Sequence, residues 1–234
     1  MASLSVSPSR VDIRAGINES IKASFMVTNN YEGNVNIEVL TNDWNSYKGN
    51  NINVNSWLNI ETKKFVLAKG ESKEVFYTII TNQDMQGSVS GQVTFSLKPP
   101  GNDGITIKMS FPIYIIIKGT EQVDFNVEKI INVAKKNNGI TASFSMQNNG
   151  NVHVRPQGKF NIYNKKDKLV ASSVIPERVP VYANTSRSGF YAEIPDITNL
   201  KAGKYIAEIL VETQGQSSSK KIEFRIKKDR TIVQ

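Results

Sequence analysis

Ile105-Thr-Ile-Lys-Met-Ser-Phe-Pro-Ile-Tyr-Ile-Ile-Ile117 carries an apolar side chain at every odd position. That period of two belongs to a β-strand with one face against a core, since a helix would scatter the same residues around its circumference. The run is well above the usual strand length of about five to six residues. Pro112 has no N–H to give to a ladder, which predicts a sheet edge or a bulge at that point. Two readings follow. A long apolar edge is an aggregation hazard unless covered, and it is also the surface on which a partner adds a strand. Alternatively, this is the last strand of a sandwich and its apolar face packs on its own core.

The same period recurs on both sides of this stretch. Ser3 to Ser7 and Val11 to Arg14 read as a short, broken first strand, followed by strands at Ser20 to Thr28, Asn34 to Leu40, Lys73 to Ile80 and Ser90 to Leu97. Trp57 to Ile60 reads as a further short strand with Trp57 or Leu58 in the core. About seven strands in the first 118 residues match an immunoglobulin-like sandwich. Lys118 to Gln122 is polar and contains a glycine, which places a boundary there. Strands then resume at Phe125 to Ile131, Ile140 to Met146, Lys159 to Tyr163, Leu169 to Val174, Ser188 to Ile194, Gly203 to Glu212 and Lys220 to Ile226. The expected fold class is all-β, two tandem immunoglobulin-like β-sandwiches, with domains at 1–118 and 119–234. An internal echo joins the halves: Ser24-Phe-Met-Val-Thr-Asn-Asn30 before Asn34-Val35, and Ser143-Phe-Ser-Met-Gln-Asn-Asn149 before Asn151-Val152. In each, a strand ends in Asn-Asn at a turn and a new strand is expected at Asn-Val.

Composition excludes most chemistry. The 234 residues contain no cysteine and a single histidine, His153, so disulfides, thiolate sites and paired-histidine metal sites are ruled out. His153 alternates with Val152 and Val154 and reads as a surface or rim residue. No nucleophile elbow or phosphate loop occurs, and Gly87-Ser-Val-Ser-Gly91 precedes a strand rather than a helix. Asp43, Asp84 and Asp103 lack calcium-loop spacing. The chain is therefore expected to be no enzyme, with no cofactor and no metal. Tyr31, Trp44, Tyr47 and Trp57 could form a sugar or base platform, but large aromatics are usually buried, and core or rim packing is the stronger reading. The longest apolar run, Phe111 to Ile117, is strand-sized, so no membrane span is expected. The net charge of +8 is dispersed among short lysine clusters at turns and edges, where it protects against edge pairing and does not point to nucleic acid.

Three features resemble the PapD-like periplasmic chaperones of pilus assembly. The opening Ser7-Pro-Ser-Arg-Val-Asp-Ile-Arg-Ala-Gly16 is similar to that family's first strand, in which an arginine precedes a short apolar strand and a glycine turn. Val27-Thr-Asn-Asn30 is similar to the end of its second strand, and Ile105 to Ile117 to the long last strand of its first domain. The resemblance implies that Arg10 anchors the terminal carboxylate of a bound subunit and that Ile105, Ile107 and Met109, continued by Phe111, lend apolar side chains to an incomplete partner sandwich. Where the family has a second anchoring lysine, this chain has Tyr114, and the loop Lys98 to Gly104 is short; both depart from the pilus-subunit pattern. The second half is closer to chaperone-like and cell-surface immunoglobulin-like domains of bacteria.

The resemblance thus implies an exported, chaperone-like protein of the periplasm or cell surface, its signal peptide already removed, that captures a pilin-like or envelope subunit on this strand or in the cleft between domains. The alternative is a structural or scaffolding module of an envelope assembly. A carbohydrate-binding module would need Trp44 and Trp57 exposed on one face.

Overall fold

The computed structural model describes residues 3–44, 52–101 and 104–234. It is all-β, with a single 3-10 turn at Val54–Ser56 among the described residues. The chain divides into two compact units, Met1–Glu121 and Gln122–Gln234, each a two-sheet sandwich.

The first unit contains β1 (Leu4–Ser7), β2 (Val11–Ala15), β3 (Ser20–Asn29), β4 (Val35–Asp43), β5 (Leu58–Ile60), β6 (Lys64–Leu67), β7 (Ser72–Ile80), β8 (Ser88–Leu97) and β9 (Ile107–Ile117). One sheet has the order β1-β3-β7-β5 and the other β2-β9-β8-β4-β6. The two pieces of the broken first strand thus lie in opposite sheets, and the chain crosses the rim of the sandwich between Ser7 and Arg10. All pairings in the unit are antiparallel except β2 with β9.

Alternation fills the space between the sheets. Phe25, beside Tyr77 in one sheet, meets Phe95 and Phe111 of the other, with ring centroids 5.8 Å and 6.0 Å apart. Such pairs add about 0.5–1.5 kcal/mol each beyond the area they bury. The 3-10 turn, capped by Asn53 Oδ1 accepting from Asn55 N, delivers Trp57 into this core at 1% exposure. Trp57 lies against Gly91 of β8, where a Cβ would stand 2.5 Å from Val54 Cγ2 and 2.9 Å from Trp57 Cζ2. Gly91 is therefore a packing position inside a strand, and Trp57 is removed from any aromatic platform. Tyr31 also packs against the core, while Tyr47 and Asp103 lie outside the described residues. The sequence reading missed β6, which among the described residues pairs only with β4; its exposed Lys64 stands on that sheet edge.

The second unit contains β10 (Phe125–Lys136), β11 (Gly139–Asn148), β12 (Gln157–Asn164), β13 (Leu169–Ile175), β14 (Thr185–Ile194), β15 (Gly203–Thr213), β16 (Gln216–Ile226) and β17 (Ile232–Val233). Its sheets have the orders β10-β11-β14 and β13-β12-β15-β16-β17. β10 runs five residues beyond the predicted end at Ile131, because register shifts between Val127 and Lys129 and between Ile130 and Asn132 break the alternation without ending the strand.

The echo between the halves is a pair of buried asparagine clamps. Asn29, the last residue of β3, is fully buried; its Nδ2 donates to the carbonyls of Gly33 (2.8 Å) and Leu67 (3.0 Å), and its Oδ1 accepts from Tyr31 N (2.9 Å). Asn148, the last residue of β11, repeats each bond: to Val152 O (2.7 Å), to Val181 O (3.0 Å) and from Gly150 N (3.0 Å). The expected strand at Asn151-Val152 does not form. That segment is held as a loop by the clamp, touches β-structure only at an isolated Val154–Val181 bridge, and reaches β12 after Pro156. His153, expected at the surface or rim, is 6% exposed.

A polar ladder crosses the outer face of the larger sheet of the second unit. Ser172 Oγ donates to Asn161 Oδ1 (2.7 Å), Asn161 Nδ2 to Glu208 Oε2 (3.0 Å) and Tyr163 OH to Glu208 Oε2 (2.8 Å), with Lys221 Nζ 3.5 Å from Glu208 Oε1. Burial alone would push the Glu208 carboxyl up, but the donors Asn161, Tyr163 and Lys221 outweigh it and hold it below its ordinary value. A carboxylate depressed in the folded state stabilises above its unfolded pKa, and that contribution disappears as pH falls through the folded value. Glu208→Gln is thus expected to unfold at a lower temperature than wild type at neutral pH, and the two melting curves should converge below about pH 4. A gap that persists in acid would show that the ladder does not depend on the charge.

Candidate functional site

β9 is two strands in one. Its second half is central: Ile113 to Ile117 pair in parallel with Val11 to Ala15 of β2 on one side, and Ile113 to Ile116 pair in antiparallel with Ser88 to Gly91 of β8 on the other. Its first half, 107–112, pairs with β8 alone, so one row of backbone donors and acceptors along it has no strand beside it among the described residues. Pro112 sits at the change, where a missing N–H costs no rung on the open side.

The side chains follow the same division. Phe111, Ile113, Ile115 and Ile117 are buried in the first core. Ile107 and Met109 are half-buried and rest against it, and Lys108 and Ser110 on the other face are exposed. Phe111, wedged between Phe25 (6.0 Å) and Phe95 (5.8 Å), roots the open half in the core. Ile105 precedes the strand, which begins at Ile107 instead of Ile105, and is 49% exposed. Tyr114, opposite Asp12 of β2 and Ser90 of β8, is 3% exposed.

Arg10 stands immediately before β2, whose first rung is Val11 with Ile113. It is therefore at the inner end of the open edge, on the line that any added strand would share with β2. Its Nε donates to Asp12 Oδ2 in a surface ion pair. Glycine turn chemistry holds the far end of β2: Gly16 N donates to Glu19 Oε2 (2.6 Å), and buried Thr81 accepts from Glu19 N (2.9 Å) while donating to Gly16 O (2.6 Å). The structure thus brings Arg10 and residues 107–112 to one rim of the first sandwich and leaves Phe111 and Tyr114 inside it.

Sequence reasoning missed one neighbouring feature. A pocket of about 580 Å³ opens at the outer end of the open edge, lined among others by Ile37, Phe65, Val66, Leu97, Lys98 and Thr106. Its walls come from β4, β6 and β8, and Leu97 is the rung partner of Ile107. The unread β6 supplies Phe65 and Val66, so the pocket had no sequence signal. No helix among the described residues is long and apolar enough to cross a membrane, and no group of three or more His, Asp or Glu there could hold a metal ion.

No family model matches the chain, and no curated protein matches it in sequence. Solved structures do match along its length. The class 5 fimbriae chaperone CfaA is 13% identical, with 94% of this chain and 98% of that one covered and a TM-score of 0.51. The chain matched in the CsuC–CsuE chaperone–tip adhesion subunit pre-assembly complex, from the archaic chaperone-usher Csu pili of Acinetobacter baumannii, is 12% identical, with 95% and 98% covered and a TM-score of 0.50. The YadV chaperone is 8% identical, with 94% and 98% covered and a TM-score of 0.50. At these identities the likeness concerns the fold, and it extends over both sandwiches. The chain therefore shares the β-sandwich fold of these chaperones.

Proposed function

We propose that this protein is a non-enzymatic, chaperone-like binding protein of the bacterial periplasm or cell surface, which captures a pilin-like or envelope subunit by strand addition along residues 107–112. The observation that carries this reading is that β9 is flanked by β2 only from Ile113 onward, with Arg10 at the junction. A partner strand laid there continues the line of β2. If it runs parallel to β9, as β2 does, its C-terminus arrives at Arg10, whose guanidinium suits a carboxylate. Main-chain bonds to the open row supply affinity, and Ile105, Ile107 and Met109 supply the apolar contact. The fimbrial chaperone fold, including one solved with a tip adhesion subunit, supports a protein partner. The buried Phe111 and Tyr114 support the strand from within.

The test is capture of the fimbrial or envelope subunit encoded beside the gene. Ile107→Thr combined with Met109→Thr is expected to reduce capture at least roughly tenfold, since two half-buried apolar contacts are lost. Its thermal transition should stay cooperative, because both residues lie at the rim of the core. Unchanged capture by this folded variant would overturn strand addition and favour the scaffold reading. Backbone amides of 107–112 should also exchange rapidly in the free protein and become protected with the subunit bound.

A further inference from the structure

The charge of the chain is divided unequally. The first unit holds 11 Lys and Arg against 11 Asp and Glu, and the second holds 18 against 10, so the second carries the entire excess of +8. Within that unit the excess is concentrated again. By register, the end of β10, the start of β11 and the end of β14 lie at the same end of the sandwich as the end of β12, the start of β15 and the end of β16. The four segments meeting there, 135–138, 165–168, 195–202 and 227–231, contain nine Lys and Arg and only three Asp. All eight of those lysines are exposed. Two of the three carboxylates are committed to their own turns: Asp196 accepts from Thr198 N (2.8 Å) and Oγ1 (2.7 Å), and Asp229 from Thr231 N (3.0 Å) and Oγ1 (2.7 Å).

Among these segments lies a pocket of about 170 Å³ lined by Lys135, Asn138, Ile197, Thr198, Ile226 and Arg230. Arg230 is fixed in place: its guanidinium donates to the carbonyls of Leu200 and Ile197, the latter at 2.9 Å. A preorganised guanidinium and an exposed lysine lining one small pocket suit a carboxylate.

We propose that this basic end of the second domain is a docking surface for an acidic protein segment, with one Asp or Glu side chain seated between Lys135 and Arg230. Three observations favour a protein over other polyanions. The carboxylates Asp167, Asp196 and Asp229 are interleaved with the lysines, a pattern that complements a segment with discrete charges and repels a closely spaced phosphate backbone. The four segments contain no Phe, Tyr or Trp on which a base could stack. Their large apolar residues, Ile197 and Leu200, are 4% and 6% exposed and leave no wedge to enter a lipid surface. The surface is distinct from the open edge of β9 and does not rest on the strand-addition reading.

The test uses the full chain and a fluorescein-labelled decaglutamate, read by anisotropy at low salt and at physiological salt. Wild type is expected to bind, with affinity falling as salt rises. K166E/K168E/K228E should weaken binding at least roughly tenfold, while the equally charged K63E/K98E/K118E in the first domain changes it by less than about twofold. Lys135→Gln alone should cost about threefold. Ile107→Thr/Met109→Thr is expected to bind decaglutamate as wild type does. The proposal is overturned if decaglutamate does not bind at low salt, if both triple variants weaken it equally, if Lys135→Gln has no effect, or if polyphosphate of equal charge or phosphatidylserine vesicles bind more tightly.

Discussion

Asn148→Ala is expected to destabilise the second sandwich by about 3 kcal/mol while the first unfolds as before, and Asn29→Ala should do the reverse. Each side chain is fully buried and makes three hydrogen bonds, two given to carbonyls and one taken from a backbone N–H. Alanine removes all three at once and leaves those groups in a place that water does not reach, at about 1–3 kcal/mol for each unsatisfied group before relaxation. Each clamp also ties a strand end to a chain segment distant in sequence: Leu67 for Asn29 and Val181 for Asn148. Urea unfolding of both single variants and the double variant, followed by circular dichroism, would separate the two transitions. A loss below about 1 kcal/mol in either variant would show that the bonds are replaceable. Aspartate is expected to be worse than alanine, since it keeps the acceptor, loses both donors and buries a charge.

Gly91→Val should disable the first domain, by about 3 kcal/mol or more. A Cβ at this position falls 2.5 Å from Val54 Cγ2 and 2.9 Å from Trp57 Cζ2, and Val54 and Trp57 are each 1% exposed, packed in the core. Gly91 is also the rung partner of Ile113, the residue at which β2 joins β9. Displacing β8 there would disturb the junction that sets the open edge. Unfolding followed by tryptophan fluorescence would read the effect. Trp57→Phe is expected to recover part of the loss in the double variant, a coupling that additive, independent sites would not show.

The fold was legible where alternation was unbroken. Ser20 to Thr28, Lys73 to Ile80 and Ser90 to Leu97 each correspond to an observed strand within two residues at either end. It was lost where something other than alternation makes the strand. β6 is four residues held by one neighbour among the described residues, β10 hides its second half behind two register shifts, and β17 is two residues long. Gly91 was legible as part of the strand Ser90 to Leu97, but sequence does not reveal that a tryptophan 34 positions earlier fills the missing side chain. The repeated Asn-Asn was visible, but the partners that give it meaning are carbonyls on other segments. At the candidate site, the alternation of β9 was plain and its division at Ile113 was not, because that depends on which short strand lies alongside. The concentration of charge was equally hidden, since its four lysine-bearing segments are far apart in sequence and meet only when β12, β15 and β16 are in register.

If a partner strand adds to the open row, the place where β2 joins β9 would also act as a ruler. Residues 107–112 offer six positions, about 20 Å at roughly 3.3 Å per residue. A terminal segment of about that length can lie flat along the open row with its end at Arg10, while a segment that continues past the same point collides with Val11. The junction would therefore distinguish chain ends from chain interiors, and it would do so by length alone, whatever the side chains of the incoming segment.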